Sequence, residues 1–130
     1  MRLRVEEAAL RRAGARLLVV FGSAARGLEH AGSDLDLGVL FDGDGREDTG
    51  PYEPRLEAVA SAVQADRPVD LVLLDEADPL LLREVALDGR PVFEAEPGAF
   101  EEFRLRAIKR YLDTAWLREI EARVLRERYG

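Results

Sequence analysis

Two apolar periods alternate along this chain, and each predicts a different element. Leu17-Leu18-Val19-Val20-Phe21 is an unbroken apolar run, which predicts a strand over Arg16–Phe21 buried on both faces. Leu35, Leu37, Val39 and Phe41 repeat every second residue, which predicts a strand over Leu35–Phe41 with Asp34 and Asp36 on its other face. A third strand is expected over Pro68–Leu74, and a short one over Pro91–Glu94 at a sheet edge because of its proline. Between them the spacing turns helical. Val5, Ala8, Ala9 and Arg12 predict a helix over about Val5–Ala13, stopped by Gly14. Leu56, Val59, Ala60 and Val63 predict one over Arg55–Gln64. Asp78-Pro79 supplies an N-cap and a first-turn proline for a helix running to about Leu87 and ending near Gly89. Ser23–Arg26 is expected to start a short helix closed by Gly27, and Leu28–Gly32 to form a loop. Asp42–Glu53 reads as a turn-rich acidic connection. From about Ala99 to Arg128 one long helix is expected, with a stripe that includes Phe100, Phe103, Leu112, Trp116, Ile120 and Val124. Helices alternating with buried strands predict an α/β sandwich around a small sheet. A single domain over 1–130 is expected, with a core at about 16–95 and a helical tail at about 99–128.

Composition narrows the chemistry. The chain has no Cys, which excludes disulfides, thiolate nucleophiles and Cys–zinc centres and fits a reducing interior. The N-terminal residues lack a secretory apolar stretch, and no apolar run nears the roughly 20 residues of a membrane span, so a cytoplasmic protein is expected. Net charge is −7, so no direct nucleic-acid binding is expected. From Ala99 onward eight basic side chains face six acidic ones, so the tail differs in sign from the rest. Lys109 is the only Lys and Gln64 the only Gln.

Three acids stand where acids are costly. Residues i and i+2 of a strand project to one side, about 7 Å apart, so Asp34 and Asp36 can converge on a cation. Asp70 lies among Val69, Leu71 and Val72 and is the natural third carboxylate. Mg²⁺ takes hard oxygen ligands, one or two carboxylates beside substrate phosphates, and a third acid completes a site for two ions. Phe21-Gly22-Ser23 supplies the other half. Gly22 lets backbone approach an anion, N–H groups at the start of the following helix would point at it, and Ser23 adds a hydroxyl. Arg26 is read either as a phosphate ligand or as a surface residue, and Ser33 either as a turn residue or as part of the nucleotide site. Taken singly, the Gly-Ser turn, the Asp-x-Asp pair and Asp70 each have an ordinary structural reading; their combination carries the functional one. Neighbouring motifs fail. Gly22–Gly27 has Walker A glycine spacing, but Leu28-Glu29 stand where Lys and Ser/Thr are required. His30 is the only His, which leaves a Ser-His-Asp relay resting on one loop residue. Asp42, Asp44 and Glu53 mimic three positions of a calcium hand, but Glu47 stands where its glycine belongs.

The set Phe21-Gly22-Ser23-Ala24-Ala25-Arg26-Gly27, Ser33-Asp34-Leu35-Asp36-Leu37 and Val69-Asp70-Leu71-Val72 resembles the minimal nucleotidyltransferases of the polymerase-beta superfamily, in particular the MntA-like antitoxins of HEPN/MNT pairs. The resemblance covers roughly Arg16–Glu94. It implies a small mixed sheet flanked by helices, Mg²⁺ (two ions) held by Asp34, Asp36 and Asp70, and the ATP triphosphate on Gly22 and Ser23, with Arg26 and Ser33 beside it. It implies transfer of AMP from ATP to a tyrosine of a HEPN-type RNase toxin in a hetero-oligomer. Only about 35 residues follow Glu94, which favours a protein acceptor over one held by a second domain. Two other expectations stand beside this one: an antitoxin acting by contact alone with a vestigial nucleotide site, and a transferase for an aminoglycoside-like small molecule, which the acidic loop 42–53 would suit.

Overall fold

The structure, a computed structural model, describes residues 2–27, 34–41 and 51–129. Its centre is a four-stranded mixed sheet of β2 (Leu17–Phe21), β3 (Leu35–Leu40), β5 (Val69–Leu73) and β6 (Arg90–Glu94), in the order β5-β3-β2-β6. β2 runs antiparallel to β3 and β6, while β3 and β5 run parallel. All five residues of β2 are buried because helices cover both faces of the sheet. β6 is an edge strand, as Pro91 requires, and its register on β2 shifts between Leu18 and Val19.

Alternation along the strands sorts the side chains. One face carries Leu18, Val20, Leu35, Leu37, Val39 and Phe41 against Leu10 of α1 (Glu7–Arg12) and Val59 of α2 (Tyr52–Ser61). The other carries Leu17, Val19 and Phe21 against Leu82, Val85 and Ala86 of α3 (Pro79–Asp88) and Phe103 and Ala107 of α4 (Ala99–Asp113). On this second face Gly38 stands between Asp36 and Leu40. A Cβ there would meet the Leu74 side chain at 2.9–3.0 Å, so glycine is what lets the 3₁₀ turn Leu74–Glu76 close on the sheet. Among the described residues no polar or charged side chain is fully buried.

Four expectations are corrected. Leu3–Val5 (β1) and Val63–Ala65 (β4) form a separate antiparallel pair, where Val5 and Val63 were read as helical. Three-residue strands carry too little alternation to show a period. α2 starts at Tyr52, because Pro54 sits in its first turn, where a missing N–H costs nothing. Ser23–Arg26 is a series of turns rather than a helix, tied by Arg26 N–H to Gly22 O and Gly27 N–H to Ala24 O, each 3.3 Å. The long C-terminal helix is two: α4 ends at Asp113, and α5 runs Ala115–Tyr129. Thr114 makes the break. Its hydroxyl donates back to the carbonyls of Arg110 (2.9 Å) and Tyr111 (3.2 Å), a pattern that bends helices. Among the described residues no helix is long and apolar enough to cross a membrane.

The predicted start of α3 is present: Asp78 Oδ1 accepts the Leu81 N–H at 2.9 Å, with Pro79 at the first helical position. Asp78→Ala is expected to cost about 1 kcal/mol of stability, measured by urea denaturation, with an unchanged denaturant slope.

Candidate active site

β2 delivers the glycine–serine turn and β3 delivers the acids to the same place, because Phe21 pairs with Asp36 across the antiparallel ladder. Gly22 follows with φ +73°, a left-handed conformation that L side chains rarely adopt. A Cβ at Gly22 would also land on Asp36 Oδ2. Gly22 is thus required twice, by backbone geometry and by the carboxylate against it. Ala24 and Ala25 then plug into the α1/α2 core and anchor the turn, which leaves Ser23 half-buried and Arg26 and Gly27 exposed. With no helix at Ser23–Arg26, any anion at this turn meets turn N–H groups and the Ser23 hydroxyl, without the macrodipole of a following helix.

The third acid arrives by strand pairing. Asp36 and Asp70 are direct partners in the parallel β3–β5 ladder, on one face of adjacent strands about 4.8 Å apart. Leu35 N–H donates to Pro68 O at 2.9 Å and pins the entrance of both strands. Asp34 immediately precedes β3 and is exposed, as is Asp70, while Asp36 is half-buried. The Asp36 carboxyl is held above the ordinary carboxylate range, first by burial, then by the charges of Asp70, Asp34 and Glu84. That ranking places all three sequence-chosen acids within electrostatic reach of one another. It also adds Glu84 of α3, which pattern reading missed. Glu84 and Asp88 lie four residues apart on α3, and their carboxylates stand 3.9 and 3.7 Å from Arg26 Nη1. An i, i+4 acid pair on a helix is an ordinary surface feature, so only the packing of α3 reveals that this pair looks at the turn.

Among the described residues, no three acidic or imidazole side chains already form a closed cage for an ion. The donor set still suits Mg²⁺, which keeps several waters and takes one or two carboxylates beside substrate phosphates. Carboxylates that repel one another on a solvent-facing rim are the chemistry a hard cation relieves. Ser33, His30 and residues 42–50 of the acidic connection lie outside the described residues. A cavity of about 250 Å³ lies at the opposite end of β3, between Leu40, Leu74, Phe103, Arg16, Arg106 and Arg110. Its acids are engaged: Asp75 accepts the Phe41 N–H at 2.9 Å, and Glu102 pairs with Arg106. Among the described residues, the acids that face one another without such partners are those of the carboxylate rim.

Fold and rim together define a nucleotidyltransferase-type domain. Residues 5–97 match the family described as Polymerase beta, Nucleotidyltransferase, and the chain belongs to it. It is similar to the protein adenylyltransferase MntA of Aphanizomenon flos-aquae, 29% identical over 100 residues, 72% of this chain and 66% of that relative, so the match spans just under two thirds of the relative's length. It is also similar to a chain of a toxin–antitoxin crystal structure with AMP-PNP: 29% identity, TM-score 0.65, covering 91% of this chain and 94% of that one. A structure of a tri-AMPylated Shewanella oneidensis HEPN toxin in complex with an MNT antitoxin shares the fold at 24% identity and TM-score 0.58, covering 91% of each chain.

Two expectations follow. Gly22→Ala should destabilise the protein by about 1–2 kcal/mol from the left-handed backbone alone, with the clash on Asp36 adding to it, read as a lower denaturation midpoint. The second concerns pH. Because the folded-state pKa of Asp36 is raised, stability is highest while the group stays protonated and falls as pH rises from the unfolded carboxyl value through the folded one. Without metal, Asp36→Asn should therefore melt above wild type at pH 7, and the difference should close as pH approaches 4 in paired thermal melts.

Proposed function

We propose that the chain is a Mg²⁺-dependent protein adenylyltransferase, the antitoxin half of a HEPN/MNT pair, acting in the cytoplasm. It would move AMP from ATP to a tyrosine hydroxyl of a HEPN-type partner. The observation that carries this reading is the Asp36–Asp70 strand pairing, with Asp34 on the same side and Gly22 packed against Asp36. The family match, the adenylyltransferase relative and the AMP-PNP-containing relative structure support it.

In this mechanism Asp34, Asp36 and Asp70 would hold magnesium, which when bound neutralises triphosphate charge and lowers the pKa of a coordinated hydroxyl. The Gly22 turn presents backbone N–H groups and the Ser23 hydroxyl to the phosphates. Arg26 exchanges its loose pairing with Glu84 and Asp88 for a phosphate oxygen, a small loss because exposed ion pairs contribute only about 0–1 kcal/mol. The acceptor oxygen attacks the α-phosphorus in line, its proton passes to an Asp70 carboxylate oxygen, and the α–β bridging bond breaks to release pyrophosphate.

Asp36→Ala should lower AMP transfer to a co-purified HEPN-type protein by at least about a hundredfold, followed by mass increments on the acceptor, while the melting transition stays cooperative. Transfer at the wild-type rate would overturn the catalytic reading and leave neutralisation by contact. The uncovered apolar face of the tail fits a contact surface under either reading.

A further inference from the structure

The tail holds apolar side chains that the fold leaves in solvent. Leu112 is 64% exposed and Trp116 61%, with Leu117, Ile120 and Val124 close to 45%. Large apolar side chains left exposed along one stretch of helix are the material of an interaction surface, to which a stable interface draws about 800 Å² from each side. None of the 15 residues of α5 is buried. A helix of that length is marginal in water without tertiary support.

We propose that this outer face of α4 and α5 is the docking surface for the acceptor protein, a helical HEPN-type partner. The inference rests on the transfer reading above and adds the place where the acceptor is held. Three observations support it.

The first is that the face is aimed. Arg118 stacks on the Tyr111 ring at 3.8 Å and donates to Tyr111 O at 2.5 Å and Thr114 Oγ1 at 2.6 Å, clamping α5 to α4 across the break. At about 100° per residue, Arg118 points to the opposite side of the helix from Ile120, so the clamp turns Trp116, Ile120 and Val124 outward. The second is spacing. Residues 116, 120 and 124 stand one turn apart, the pattern with which a helix lies in an apolar groove of a helical partner. The third is where the tail recurs. The nucleotidyltransferase family match ends at residue 97, before α4. The likeness to the toxin–antitoxin chain covers 91% of this chain and so extends well into the tail. A tail beyond the family domain thus recurs in a chain from a toxin–antitoxin structure.

The test uses the full chain carrying Trp116→Glu and Ile120→Glu together, with the HEPN-type protein of the same genome as the probe. Calorimetry should show at least about tenfold weaker association than wild type. The variant should bind AMP-PNP with magnesium as wild type does and keep its helical circular dichroism, since neither residue is buried. Unchanged association in the variant overturns the surface while leaving transfer untouched. A wild-type chain that forms no complex with this protein overturns surface and partner together. A wild-type dimer in light scattering that the same substitutions dissociate, with association to the HEPN-type protein unaltered, assigns the face to a second copy instead and overturns the proposal.

Discussion

The parallel pairing of β3 with β5 sets two like charges side by side, and the rest of the molecule is arranged around bearing that cost. Asp36 and Asp70 are register partners, Asp34 lies two residues back, and Glu84 looks in from α3. Left alone, the acids would push the two strands apart. What holds them is the opposite face of the same strand. Leu35, Leu37 and Val39 are fully buried, and side chains of this size each contribute about 1.5–3 kcal/mol on burial. Exposed charges exchange far less, about 0–1 kcal/mol per pair. The core therefore outweighs the repulsion and keeps the ladder intact, while the Asp36 carboxyl is held above its usual range first by burial and then by the acids around it.

The same alternation explains why the site and the core cannot drift independently. Odd positions of β3 enter the α1/α2 core, while even positions carry Asp36, then Gly38 under Leu74, then Leu40. A one-residue slip against β2 would bury Asp36 and expose Leu37. It would also move Gly22 away from the only kind of neighbour that needs its missing Cβ. α3 has a double task of the same sort. Leu82, Val85 and Ala86 seal the second face, while Glu84 and Asp88 project past that seal to the glycine–serine turn. The acids of α3 are thereby positioned by apolar packing.

What the amino-acid pattern made legible was what is encoded locally. The unbroken run 17–21, the alternation 35–41, the Asp78-Pro79 cap and the edge proline of β6 each need only a few consecutive residues, and each is present. The place of Asp70 was different. Its residue type and apolar setting were visible, but its pairing with Asp36 depends on register between strands more than thirty residues apart. What stayed illegible depended on tertiary contact or on very short elements. β1 and β4 exist because three residues of each meet the other, and Arg2 N–H reaches Asp66 Oδ2 at 3.0 Å beyond the pair. The stretch after Gly22 reads as a short helix closed by Gly27, yet Ala24 and Ala25 are used as core plugs in a tight turn. In the tail a single threonine hydroxyl bonding backward outweighed a continuous apolar stripe.

Charge then constrains how the proposed chemistry can proceed. Around the turn stand Asp34, Asp36, Asp70, Glu84 and Asp88, with Arg26 the cation paired to the last two. A triphosphate approaching this rim meets net repulsion on a chain that is already at −7. Neither the turn N–H groups nor the Ser23 hydroxyl carries a full charge to offset it. Under the proposed function, a cation shared by the acids and the phosphates would supply the attraction the turn lacks, and Arg26 would then be free to leave Glu84 and Asp88 for a phosphate oxygen. In the proposed reaction the acid excess would make nucleotide and metal binding one event. The glycine–serine turn only shapes what the charge has already made conditional.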